Sequence, residues 1–89
     1  MLTITEEASS LISALGREAN AAAGSGLRIT IDAHHDSLSM ALAPDAAPGD
    51  SVVHMGETRV FLSPAAADRL ATLTLHASRS DERCSFFLK

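Results

Sequence analysis

Apolar and polar positions alternate with two different periods along the chain. In "LTITEEASSLISALGREANAAAG", Ala8, Leu11, Ile12, Leu15, Ala19 and Ala22 recur at three- and four-residue steps. That spacing puts them in one stripe on a helix. Thr5 stands just before the stripe, where a hydroxyl can accept from an orphan backbone amide. Glu6 and Glu7 follow, and carboxylates favour the positive end of a helix. Gly16 weakens the middle slightly, while Gly24 and Gly26 offer places to stop. The pattern predicts a helix from about residue 5 to about residue 22, preceded by a short strand at Leu2 and Ile4.

The period then changes to two. In "GLRITID", Leu27, Ile29 and Ile31 alternate with Arg28, Thr30 and Asp32; in "SLSMALA", Leu38, Met40 and Leu42 alternate with Ser37, Ser39 and Ala41. Both read as half-buried strands, joined as a hairpin through the polar residues from Ala33 to Asp36. "APDAAPGDS" is a loop by its Pro44, Pro48 and Gly49. "SVVHMGETRVFLS" predicts a second hairpin, with Val53 and Met55 on one face, Val60 and Leu62 in the return strand and Gly56-Glu57 at the turn. Ser63-Pro64 has the form of an N-cap followed by proline in the first helical turn, so "AAADRLA" predicts a short helix. Leu73 and Leu75 open another strand, "SRSDER" is a polar turn, and "CSFFLK" is the last strand, with Cys84, Phe86 and Leu88 on one face.

Hairpins dominate this order, so mostly antiparallel sheets are expected. The fold class is α+β, with one long N-terminal helix and one short helix. At 89 residues the chain suffices for one core and one domain, residues 1–89.

Composition narrows the function. With no Trp or Tyr and only three Phe, the core must be aliphatic. The net charge of −4 and the scattered placement of the seven basic residues argue against a nucleic-acid partner, which needs a clustered basic face. No apolar run approaches the length of a membrane span. The first residues lack the basic-then-apolar order of a signal peptide, and a single cysteine cannot build a disulfide framework. A cytoplasmic protein is the expectation.

The candidate chemistry gathers in "AHHDS". The His34 and His35 imidazoles and the Asp36 carboxylate suit zinc or non-haem iron(II). Neighbours on a strand point to opposite faces, so a turn would have to gather them onto one metal. The bland alternative is a solvated hairpin tip. His54 and His76 lie in predicted strands opposite the more apolar face. Cys84 reads first as a small buried apolar residue; beside Arg83 it could be a reactive thiol if exposed. Ser, His and Asp in "HHDS" are consecutive, and consecutive residues do not make a catalytic triad. No nucleophile elbow, glycine-rich phosphate loop or Cys-x-x-Cys motif is present. No acid–base pair is visible, so an enzyme is not expected.

In order and wording, "LTITEEASSLI", "GLRITI", "SLSMALA" and "PGDSVVHMGETRVFLSP" together resemble the HesB-like domain of A-type iron–sulfur cluster carriers, over nearly the whole chain. The resemblance implies a HesB-like fold, a small sandwich or pseudo-barrel of hairpins. It implies a role in assembling or carrying iron–sulfur clusters or iron, a homodimer or larger assembly, and iron–sulfur assembly proteins as partners. It also implies three cysteine ligands, one after the first strand of the first hairpin and two in a C-terminal Cys-Gly-Cys tail.

Here the chain departs from that pattern. Aligning "SLSMAL" puts His35 near the first cysteine, with His34 or Asp36 equally near because the hairpin is about one residue shorter. Cys84 lies before the place of the tail and matches neither of its cysteines, and Lys89 follows soon after. All three thiol ligands are therefore expected to be missing. Clusters are held mainly by thiolates, commonly four, so standard cluster carriage is expected to be lost. Iron or a cluster would bind only with ligands from a partner or a second subunit. Three functions remain open: a degenerate iron–sulfur protein that binds a partner or regulates assembly, a mononuclear metal binder at His34, His35 and Asp36, and a metal-free interaction module.

Overall fold

The computed structural model describes residues 1–20, 24–32, 34, 37–80 and 83–89. In chain order these form β1 (Thr3–Ile4), α1 (Glu6–Glu18), β2 (Gly26–Asp32), β3 (Ser37–Ala43), β4 (Ser51–Met55), β5 (Thr58–Leu62), α2 (Pro64–Leu70), β6 (Thr74–Ser80) and β7 (Arg83–Leu88). Two sheets result. One has the order β3-β2-β5-β4 and the other the order β1-β6-β7.

Each hairpin expected from the period of two is present and antiparallel: β2 with β3, β4 with β5, and β6 with β7. Two further pairings are parallel and join distant parts of the chain, β1 with β6 and β2 with β5. The sheets are therefore mixed, with antiparallel pairing in the majority, and the class is α+β.

α1 begins where the sequence places it. The Thr5 hydroxyl accepts from the Ala8 amide at 3.1 Å, and Glu6 and Glu7 occupy the first turn. It ends at Glu18, short of the expected residue 22. Asn20 takes a positive φ of 53° and donates its amide to the Arg17 carbonyl at 3.1 Å. A left-handed residue just past the last turn closes a helix, and Asn tolerates that conformation nearly as well as Gly. Asn20 is thus the stop, ahead of Gly24 and Gly26. Ala22, the end of the expected stripe, lies outside the described residues, as do Asp81 and Glu82 of the last polar turn.

α2 is capped as expected, with the Ser63 hydroxyl accepting from the Ala66 amide at 3.3 Å and Pro64 opening the helix. The turn between β4 and β5 is the two residues Gly56 and Glu57, closed by the pair Met55–Thr58. Gly56 has φ of +60° and Glu57 does not share a positive φ, which is the glycine-first form of a two-residue hairpin turn.

One core joins both sheets and both helices. Ile4, Ala8 and Ile12 meet Ile29, Val60, Leu62, Leu70 and Leu75 in it. Leu75, Ile29 and Val60 are fully enclosed, and each such side chain contributes about 1.5–3 kcal/mol relative to exposure. Among the described residues no helix is long and apolar enough to cross a membrane.

Candidate functional site

The β2–β3 hairpin reaches its tip after Asp32, whose backbone pairs with Ser37. There the Asp32 carboxylate accepts from the His34 amide at 2.9 Å. An aspartate bonded two residues ahead in this way shapes a turn. His34 is exposed. His35 and Asp36 lie outside the described residues.

The remaining candidates are separated from that tip. Cys84 is on β7, in the other sheet, opposite Arg79. The thiol is exposed, which corrects its reading as a buried apolar residue. Phe86 and Leu88 pack on the core, but the strand passes beyond the core before it reaches Cys84. His76 lies on β6, directly opposite Phe87, and the rings stack with centroids 5.0 Å apart and planes within 8°. Lys89 Nζ stands 5.9 Å from the Phe87 centroid. His54 is exposed on β4, paired with Arg59 of β5. Among the described residues, no three His, Cys, Asp or Glu side chains come together as metal ligands. The thiolate supply, one sulfur per 89 residues, does not fit a cluster held within these residues, since clusters commonly take four.

Two stretches that carried the family resemblance meet in space. Ala47, Pro48, Gly49 and Asp50 form a turn in which the Asp50 amide donates to the Ala47 carbonyl at 3.0 Å, with Gly49 at φ +86°. Proline second and glycine third is the composition of a type II turn. The Asp50 carboxylate then accepts from the Ala47 amide at 2.9 Å and from Arg28 twice, Nε at 2.9 Å and Nη2 at 3.1 Å. Its side chain is 1% exposed, against 32% for Arg28. The "PGD" turn is therefore pinned by a forked ion pair to the arginine of "GLR". The Arg28 hydrogen bonds hold the Asp50 carboxyl below the usual carboxylate range, with help from the Ala47 amide and against the opposing effect of burial. The same contact raises the Arg28 pKa. This pair fastens the loop to the sheet and joins two motifs that stand far apart in the sequence.

The sequence reading also missed a cleft of about 850 Å³ between the C-terminal half of α1, the start of β2 and the β4–β5 hairpin. Arg17 of α1 and Arg59 of β5 both line it, together with His54 and Glu57. Arg59 Nη1 donates to the Gly24 carbonyl at 3.3 Å. Gly26 lets β2 close on β5, because a Cβ there would press into the Arg59 carbonyl. Under the cleft, buried Thr58 exchanges hydroxyl contacts with Ser9 at 2.8 Å and Ser13 at 3.1 Å. Its residues come from four separated segments, Leu42 of β3 among them, and no local motif announces it.

No protein-family model matches the chain, and no curated protein matches it in sequence. Solved structures do. The chain is similar to Escherichia coli SufA, described as involved in biosynthesis of iron–sulfur clusters, with a TM-score of 0.77 and 17% identity over 99% of this chain and 83% of SufA. It is similar to IscA crystallised with its [2Fe–2S] cluster, with a TM-score of 0.76 and 17% identity over 100% of this chain and 84% of IscA. A protein from Aquifex aeolicus solved by solution NMR gives a TM-score of 0.78 and 18% identity over 99% of this chain and 89% of that one. The chain thus has the fold of the A-type iron–sulfur carriers that its sequence resembles.

Proposed function

We propose that the chain serves iron–sulfur cluster biosynthesis by binding a partner or regulating assembly, and not as a standard cluster carrier. The observation that carries this reading is a carrier fold spanning 99% of the chain combined with one exposed thiol. A single chain supplies one cysteine where a cluster commonly takes four, and a homodimer would supply two. The hairpin position where the family resemblance implies the first thiol is occupied by histidines and aspartate instead. The reading assigns no catalytic step and names iron–sulfur assembly proteins as partners. Anaerobic reconstitution of the purified protein with iron and sulfide tests it. The expected result is no stable chromophore. A stable cluster absorbing visible light overturns the loss of carriage, and failure to retain purified assembly proteins in a pull-down overturns the partner role.

A second reading, a mononuclear zinc or iron(II) site at the β2–β3 tip, is favoured by one observation: His34 is exposed there, with its backbone held by Asp32. His35 and Asp36 would supply further ligands, and a second subunit the rest of the three or four that such sites need. Zinc and iron(II) titrations of the wild type and the His34→Ala/His35→Ala variant decide it. Unchanged affinity in the variant removes the site.

A further inference from the structure

We infer that the cleft between α1 and the β4–β5 hairpin is a binding site for a small phosphorylated molecule, with Arg17 and Arg59 as its charge-bearing residues. The inference stands apart from the iron–sulfur reading and uses none of its ligands.

Charge is the first argument. The protein carries a net charge of −4 and has only seven basic residues, yet two of them, from elements far apart in sequence, line one cleft. Arg28 is paired with Asp50, but neither Arg17 nor Arg59 has an ion-pair partner among the described residues, and Arg59 donates to a neutral carbonyl. Two guanidiniums line the cleft against the single Glu57 carboxylate, so the lining keeps a positive excess that an anion relieves. Planar guanidinium forks match phosphate oxygens in pairs.

The second argument is construction. Arg59 is held from both ends. Its side chain donates to Gly24, and its backbone sits against Gly26 where no Cβ intervenes. A positively charged group fixed in this way has lost its freedom before any ligand arrives, so little ordering cost remains on binding. Asn20, Ser25 and His54, all with groups able to donate, also line the cleft.

Size and charge number select the ligand. A cleft of about 850 Å³ lies within the range of small-molecule sites. A phosphate monoester carries about 1.5 to 2 negative charges at neutral pH, enough to engage both guanidiniums. It also offers three terminal oxygens to the surrounding donors, where a carboxylate offers two. The overall negative charge of the protein disfavours an extended polyanion. Glu57, at the hairpin turn, is the one carboxylate of the lining among the described residues, and it opposes an anion there.

Inorganic phosphate is the probe, titrated at constant ionic strength and followed through the backbone amide resonances of Gly24, Gly26 and Arg59. A saturable shift at millimolar phosphate or below is expected. Arg17→Ala removes an exposed helical side chain, leaves the fold intact and weakens binding by about tenfold or more, as for loss of a charged hydrogen bond. Glu57→Gln tightens binding, a change that a purely structural role for this cleft would not produce. Lys89→Ala removes an equal charge from the other sheet and leaves binding unchanged. Absence of a saturable shift in the folded wild type overturns the site. So does an equal loss with Lys89→Ala and Arg17→Ala, which would mark non-specific attraction. Tighter binding of succinate than of phosphate overturns the phosphate assignment.

Discussion

The two hairpins of the four-stranded sheet have equivalent patterns, and each pairs a central strand with an edge strand, yet their apolar faces are covered to different extents. Both "GLRITID…SLSMALA" and "SVVHMGETRVFL" alternate apolar and polar residues. In the first, β3 is an edge strand, and Leu38 and Leu42 remain exposed although they lie on its apolar face. In the second, β5 runs between β2 and β4, and four of its five residues are buried. Alternation identifies which residues share a face. What packs against each strand decides whether that face is covered: β4 is an edge strand too, yet it buries Val53. The histidine tip belongs to the hairpin with the exposed edge, whereas the basic cleft draws on both hairpins, through Gly26 and Leu42 of the first and His54 and Arg59 of the second.

The largest effect should come from the centre of the buried hairpin. Phe61 is 1% exposed, and Phe61→Ala should cost about 3–5 kcal/mol, a large share of the stability of a small domain. A urea titration followed by circular dichroism measures it. A change below about 1 kcal/mol would mean that β5 does not anchor the sheet as described. Next is the seam between the hairpins. Gly26→Ala drives a methyl into the Arg59 carbonyl, backbone that cannot swing away, and should cost about 1–3 kcal/mol.

The Arg28–Asp50 pair separates the hairpins by pH. Asp50 has a lowered folded-state pKa, so its stabilisation is fully present above the ordinary carboxylate range and is lost as pH falls through the folded value. Asp50→Asn should therefore lower the urea midpoint at neutral pH, and the gap from wild type should close on acidification. A gap that stays constant with pH would rule out the ionised pair as its cause. The smallest effect belongs to the exposed edge. Leu38 is 43% exposed, and Leu38→Ala should stay within about 0.5 kcal/mol. A loss comparable to that of Phe61→Ala would show that β3 is covered in solution, and a concentration-dependent midpoint would identify a second copy as the cover.

Much of this was legible beforehand because it is local. The Thr5 and Ser63 caps, the two helices, the Gly56-Glu57 turn and the hairpins all follow from residues within a few positions of one another. The end of α1 is legible in principle too: Asn20 carries the stop signal, ahead of the glycines at 24 and 26. Cys84 could not be read correctly because its exposure depends on how far β7 runs past the core. The functions of "GLR" and "PGD" were visible as words without their grammar, since Arg28 and Asp50 are brought together only by folding.

The sequence alone determined the element types, the strand faces, the aliphatic core and the scarcity of thiols. Periodicity, capping chemistry and residue identity act over a few residues and need no tertiary information. Tertiary structure decided the parallel pairings of β1 with β6 and β2 with β5, the exposure of Cys84 and the placing of Arg17 and Arg59 along one cleft. Those depend on contacts between distant segments, whose closure is settled by the packing of the whole core and leaves no periodic trace in the chain.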